Sequence, residues 1–303
     1  MTSMNRRRFL TISAVAGCAA ALPARAATLY RWRGIALGAQ AEIYIDHPQA
    51  EAITARAAAE IARLEGVFSL YRTDSALMRL NSAGELAEPP FELLECLSLA
   101  GRAHAATDGL FDPTVQPLWA LYAARFSAGT EPGQDEIARA VSQTGWARIS
   151  FDPASVRLAP GMALTLNGIA QGFIADRVAG LLRAEGLDQV LINTGELRAL
   201  GARPGGGAWP VSLSGGGAVE LDNRALATSS PLGTAFDAAG RVGHILDPRS
   251  GRPAPARWRS VSISAPSAGL ADALSTAACL MPDRAVIERA AAAFDGVRIE
   301  ALA

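Results

Sequence analysis

The 303-residue chain contains no lysine, so all 28 of its basic residues are arginine. A lysine nucleophile, a Schiff base and a phosphate-binding ammonium are therefore excluded throughout. Histidine and cysteine occur only three times each. That nearly excludes a closed zinc site, which takes about four such ligands, and leaves any metal as a hard cation held by oxygen. Three cysteines are also too few for a disulfide scaffold. Charge is scarce (19%) and balanced at 28 basic against 29 acidic residues, net −1, which removes nucleic-acid binding through bulk positive charge. With 50% hydrophobic residues, the chain is not disordered and can bury a substantial core.

A long apolar run is missing too. Thr11 to Leu22 is only 12 residues and contains Gly17, whereas a membrane span needs about 20. Arg6-Arg7-Arg8-Phe9-Leu10 precedes this run and Pro23-Ala24-Arg25-Ala26-Ala27 follows it, the order of a removable export signal. The paired arginines resemble the twin-arginine type, so residues 1–27 are expected to be removed, leaving 28–303 as a mature periplasmic domain. A second reading stays open: Val15-Ala16-Gly17-Cys18 resembles a lipobox, which would make Cys18 a lipidated N-terminus. The mature chain keeps 24 Arg against 29 acids. Cys96 and Cys279 each sit in an apolar helical run and are expected as two separate buried thiols.

Alternation from Ile35 to Ile45 predicts a strand. Ile53, Ala57, Ile61, Leu64 and Phe68 recur at helical spacing, and a second helix is expected from Pro90 or Phe91 to Ala106. Further helices are expected over 135–143 and 168–185 and from Ala271. Short strands are expected over 149–151, 156–158, 163–166, 190–193, 209–214, 219–221, 226–228 and 261–265. Strands and helices mix without a regular βαβ beat, which argues an α+β fold with mixed or antiparallel sheets. The glycine-rich stretches 205–207 and 215–217 lie between strands and read as turns rather than phosphate cradles.

Asp272, Ser275 and Thr276 occupy positions i, i+3 and i+4 of the last helix, so three oxygens can share one face. Such a set suits Mg²⁺, which takes few protein ligands, although an Asp near a helix start also commonly serves as a cap. Asn167-Gly168-Ile169-Ala170-Gln171-Gly172 opens a helix, where N–H groups and the dipole favour an anion. Gly243-His244-Ile245-Leu246-Asp247-Pro248 is a loop carrying a His and an Asp. His47 and His104 read as structural or solvated.

Together these segments carry a resemblance. Asp108-Gly109-Leu110-Phe111-Asp112-Pro113, Gly168 to Gly172, Gly243 to Gly251 and Ala271 to Ala277, preceded by Ser69-Leu70-Tyr71 with Ser75, Leu80 and Asn81, resemble the ordered motifs of the ApbE family of FAD:protein FMN transferases. Asn167 to Gln171 and Ala227 to Thr234 are most similar to its NosX branch, accessory proteins of nitrous oxide reduction.

The resemblance implies an ApbE-like, T-fold-type structure and an Mg²⁺-dependent enzyme. Its reaction would cleave the pyrophosphate of FAD, release AMP and esterify FMN to a Ser or Thr hydroxyl of an acceptor flavoprotein, of NosR type if the branch holds. Carried over by position, Asp272, Thr276 and the Gly168 carbonyl would hold Mg²⁺ with Ser275 beside them. Leu37 would pack near the adenine, Tyr71 would flank the flavin, Leu110, Phe111 and Asp112 would line the adenosine side, and Leu246 would lie against the cofactor. His244 would be the base, with Asp247 as its partner. Thr165 stands where the family commonly has Asp, and Gln171 where it commonly has Lys or Glu. These two losses of charge favour an alternative, a carrier that holds FAD without turning it over.

Overall fold

The computed structural model describes residues 29–303; the readings of the export signal and of Cys18 fall outside the described residues. The chain opens with a hairpin, β1 (Tyr30–Ala36) and β2 (Ala39–Ile45), followed by α1 (Ala50–Phe68), α2 (Ala76–Ala83), β3 (Glu85–Ala87) and α3 (Phe91–Ala106). Next come α4 (Gln116–Ser127), α5 (Gln134–Ser142), β4 (Ile149–Phe151), β5 (Ser155–Leu158) and α6 (Ala170–Ala184). The rest comprises β6 (Val190–Asn193), β7 (Leu197–Leu200), β8 (Trp209–Ser212), β9 (Ala218–Leu221), β10 (Ala225–Ser229), β11 (Val261–Ala265), α7 (Ala268–Ala278), α8 (Arg284–Ala291) and β12 (Arg298–Leu302). Among the described residues no helix is long and apolar enough to cross a membrane.

Seven strands form one sheet in the order β1-β2-β6-β7-β10-β11-β12, and each neighbouring pair is antiparallel. Side chains alternate between its faces. Val190, Ile192, Ala225, Ala227, Val261 and Ile263 join the main core under α1, α6 and α7. Leu191, Leu197, Ala199 and Leu226 face the other way and are covered by Trp209, Val211 and Leu221 of the β8–β9 hairpin. At roughly 25 cal/mol per Å² of apolar surface removed from water, these two layers supply most of the stabilisation. The α+β class with antiparallel sheets is thus the one expected.

Three expectations change. The strand read from Ile35 to Ile45 is the β1–β2 hairpin, because Leu37 (φ 48°) and Gly38 (φ 84°) form its two-residue turn. A two-residue turn of this kind keeps the alternation in step, so the pattern conceals it. Residues 163–166 are not a strand. The Leu164 N–H donates to Asn81 Oδ1 at 2.7 Å, its carbonyl accepts from Asn81 Nδ2 at 2.8 Å, and the Thr165 N–H donates to the Pro113 carbonyl at 2.8 Å. Finally, α7 begins at Ala268 rather than Ala271, which moves Asp272 out of the capping turn. Cys96 and Cys279 are both free and buried.

Candidate active site

The site is built on α7, whose start is tied down twice. Ser267 caps the helix through the Leu270 N–H, leaving Asp272 free of that duty. Asp176, from α6, accepts hydrogen bonds from Ser267 Oγ (2.8 Å), the Ala268 N–H (2.9 Å) and the Gly269 N–H (3.0 Å). Arg198 of β7 places Nε 3.2 Å from the same carboxylate. The two helices cross in close contact at Gly172, where an added Cβ would lie 2.2 Å from the Ala268 carbonyl oxygen.

One turn further along α7, Asp272 is 3% exposed. Its one close donor is the Gly172 N–H at 3.5 Å, a long contact that leaves most of the carboxylate's acceptor capacity unused. Burial pushes its pKa up to about 8. Glu196, at the β6–β7 turn, is also buried. Burial first, then the nearby Asp272 charge, raise its pKa well above the carboxylate range against the opposing Thr228 N–H. Sequence reasoning missed Glu196 because a lone Glu after Asn193-Thr194-Gly195 carries no periodicity. Its signal was an acid inside an otherwise apolar strand pair.

Hydroxyls complete the cluster. Ser229, at the end of β10, places its Oγ 2.7 Å from Ser275 Oγ and 3.3 Å from Thr276 Oγ1. Ser275 is fully buried and also donates to the Asp272 carbonyl at 3.1 Å, so it braces the site from behind. Thr276 is half-buried and faces Gly168: a Cβ there would sit 3.1 Å from Thr276 Oγ1 and 3.5 Å from the Phe111 ring. Thr276, Gly168 and Phe111 therefore meet although they are far apart in sequence, and Asp272 lies one helical turn before Thr276 on α7.

Among the described residues, no group of three or more His, Cys, Asp or Glu is placed to hold a metal. A cation here would use one or two carboxylates with hydroxyl and carbonyl oxygens, a hard set with Mg²⁺ chemistry. The unfilled acceptor capacity of buried Asp272 is what such an ion satisfies, so the residues fit it.

The other candidates divide. Leu110 and Phe111 are buried, and their loop is held by His104, whose Nδ1 donates to the Phe111 carbonyl at 2.9 Å while its ring stacks on Trp146. Asp112 spends one oxygen on the Thr114 N–H and hydroxyl, shaping the loop. Leu37 is buried in its hairpin turn, its N–H donating to Glu65 at 2.7 Å. Tyr71 is half exposed, and partial burial raises its hydroxyl's pKa. Thr165 Oγ1 accepts from the Asn167 N–H at 3.3 Å. Gln171 lies against Gly195, and its carbonyl accepts from Thr194 Oγ1 at 2.8 Å.

His244 donates from Nδ1 to the Thr234 carbonyl at 2.9 Å. A carbonyl can only accept, so Nε2 of the neutral ring carries the lone pair. Burial lowers the pKa, with the Thr234 and Pro231 carbonyls partly opposing, so the ring is neutral at pH 7. Pro231, two residues past Ser229, underlies Gly243: an added Cβ would meet its carbonyl oxygen at 2.0 Å. The histidine loop thus packs on the chain that leaves β10 two residues after Ser229, the residue whose Oγ touches Thr276.

One expectation about this loop changes. Asp247 is not paired with His244: it binds Arg249 (3.1 Å) and the Arg249 and Ser250 N–H groups, because an Asp before Pro folds back on its own turn. Leu246 packs into a satellite core with Leu118, Tyr122, Ile137 and Ala140. Ile245 enters the main core, and alternation turns the next side chain to the other side.

A seven-stranded antiparallel sheet, covered by helices that bring a buried carboxylate pair and hydroxyls together, defines the domain as α+β. The family model of the ApbE family matches residues 37–299. The chain belongs to that family. It is 32% identical over 261 residues to an FAD:protein FMN transferase of Treponema pallidum (73% of this chain, 72% of that one). With one from Klebsiella pneumoniae it shares 27% over 274 residues (84% and 77%). Among solved structures, a histidine-to-glycine mutant of flavin transferase ApbE from Vibrio cholerae superposes with a TM-score of 0.77 at 26% identity (88% of this chain, 91% of that one). The apo flavinyl transferase ApbE of Pseudomonas stutzeri gives 0.76 at 28% (90% and 91%).

Proposed function

We propose that the protein is an FAD:protein FMN transferase that uses Mg²⁺, releases AMP and works on the periplasmic part of a membrane flavoprotein. The observation that carries this reading is that α7 sets Thr276 against Gly168, with Phe111 against the same glycine, and buries Asp272 one turn earlier beside the Gly172 N–H. The acceptor's Ser or Thr oxygen attacks the FMN phosphorus, the bridging P–O bond breaks, and AMP leaves. His244 Nε2 takes the hydroxyl proton, a role suited to a buried neutral imidazole. Asp272, Thr276 and the Gly168 carbonyl would hold Mg²⁺, which neutralises charge on the pyrophosphate oxygens. Phosphoryl transfer needs positioning and charge neutralisation more than covalent help, so the absence of lysine is no obstacle.

The twin-arginine-like start supports export, and the likeness of Asn167 to Gln171 and of Ala227 to Thr234 supports a NosX-like role with a NosR-type acceptor. The test incubates the protein with FAD, Mg²⁺ and the periplasmic domain of such an acceptor, scoring AMP and flavin that survives denaturation. Equal amounts of AMP and covalent flavin are expected. Bound FAD with neither product, given an acceptor flavinylated by another transferase, would overturn the reading in favour of a carrier.

A further inference from the structure

The charge of this chain is unevenly spread. Residues 29–303 hold 24 Arg against 29 acids, yet residues 230–259 hold five Arg (241, 249, 252, 257, 259) against two Asp, leaving 19 Arg against 27 acids elsewhere. His244 lies in the middle of those 30 residues, which are tied together by their own hydrogen bonds. Ser230 Oγ donates to the Arg259 carbonyl (2.7 Å), the His244 N–H to the Thr234 carbonyl (3.1 Å), the Asp247 N–H to the Arg252 carbonyl (2.8 Å) and the Ala254 N–H to the Ile245 carbonyl (2.8 Å). Trp258 turns inward, its Nε1 donating to the Met281 carbonyl at 3.0 Å, while its neighbours Arg257 and Arg259 are exposed.

Both acids of the segment are occupied, Asp237 by Arg241 (3.5 Å) and Asp247 by Arg249 (3.1 Å). Arg249 also feels Asp108 of the Phe111 loop. Arg252, Arg257 and Arg259 are exposed and carry no ion pair among the described residues. In the same cluster Leu232 is 45% exposed, and its Cδ2 would lie 3.4 Å from a Cβ on Gly243, one residue from the histidine. An exposed apolar side chain with a charged rim is the anatomy of a protein interface.

We propose that this face docks the acceptor and selects it by charge: a protein segment that presents its Ser or Thr hydroxyl to His244, seats an apolar residue on Leu232 and carries carboxylates opposite Arg252, Arg257 and Arg259. The proposal rests on the transferase reading and adds the chemistry of the partner. On a surface otherwise rich in acid, this basic loop attracts acidic segments and repels basic ones, the reverse of its surroundings, and it belongs to the same 30-residue segment as His244. Guanidinium groups pair with carboxylates in fork geometry, so their identity as arginine suits this partner.

The test uses the FAD-loaded protein and two fluorescein-labelled 15-residue peptides. Both hold a central Thr and a Leu; one is flanked by Asp and Glu, the other by Arg at the same places. The acidic peptide is expected to bind at least tenfold tighter, to lose that advantage in 0.5 M NaCl, and to lose it in the R252E/R257E/R259E variant, with L232S weakening binding at any salt. FAD affinity of both variants, read by flavin fluorescence, should match that of the parent. Equal binding of the two peptides, binding of neither, or an advantage that survives charge reversal would overturn the proposal. So would adsorption to phosphatidylglycerol vesicles that removes the peptide preference, since the face would then serve a lipid surface. Failure to bind FAD would instead sink the transferase reading, while leaving the peptide comparison to judge the docking face.

Discussion

Replacing Asp272 by Asn should stabilise the metal-free protein while removing its response to Mg²⁺. Asp272 is raised from an ordinary 3.8 to about 8 by burial, so at pH 7 the folded state takes up a proton that the unfolded chain lacks. A carboxylate whose folded pKa is raised costs nothing below its unfolded value, and the cost grows as pH climbs through the interval to the folded pKa. At about 1.36 kcal/mol per unit, Asp272 costs the apo protein up to about 4 kcal/mol at pH 7, and the cost levels off above pH 8. Asn keeps the shape and has nothing to ionise. For a domain of this size, roughly 2–4 °C per kcal/mol implies a Tm higher by on the order of 10 °C near pH 7, shrinking towards zero near pH 4. The parent should recover the difference when Mg²⁺ is added, because a ligand that binds only the folded state stabilises it, and D272N should not. Melting curves from pH 5 to 9 with and without Mg²⁺ decide it. A less stable D272N at pH 8, or an undiminished Mg²⁺ shift, would refute both the buried charge and the metal assignment.

His244→Ala should lower FMN transfer by about 10²-fold with FAD affinity unchanged, and the acid limb of the parent's pH profile should lie below the ordinary histidine range, because burial depresses its pKa; a limb near pH 8 would assign it to another group. Gly168→Ala should fold normally yet weaken Mg²⁺ binding severalfold by calorimetry, since the new methyl would press on Thr276 at 3.1 Å. Gly172→Ala, aimed at the Ala268 carbonyl 2.2 Å away, should instead cost about 1–3 kcal/mol or more in urea unfolding. Asp176→Ala should destabilise by roughly 3–5 kcal/mol, because it leaves Arg198 buried without its partner and frees two N–H groups of α7; Asp176→Asn should recover part of this loss.

What could be read in the chain was whatever repeats locally. The spacing of Ile53, Ala57, Ile61 and Leu64 marks α1, and the alternation of 190–193 and 261–265 marks two central strands, because a buried face imposes its period on the residues that form it. Absence was equally informative: with three histidines and three cysteines, any metal had to be a hard cation held by oxygen, and without lysine no ammonium could serve a phosphate. The oxygen face of α7 was legible for the same reason, since i, i+3 and i+4 share a side in any helix.

Contacts between distant segments were not legible, because no local pattern encodes which loop meets which helix. Asp247 closed on Arg249 inside its own turn, but it was packing that sent Leu246 into a satellite core and gave the histidine's Nδ1 to Thr234, ten residues upstream. Glu196 is an ordinary acid in sequence and became a buried neighbour of Asp272 only when β7 was laid beside α6 and α7. Likewise Ser229 joined the hydroxyl cluster because β10 ends under Thr276, and Asp176 became the anchor of α7 across 91 residues of chain. The sequence determined which elements form and which atoms were on offer. Tertiary packing decided which of those atoms lost their water together, and that loss of solvent gives Asp272 its raised pKa.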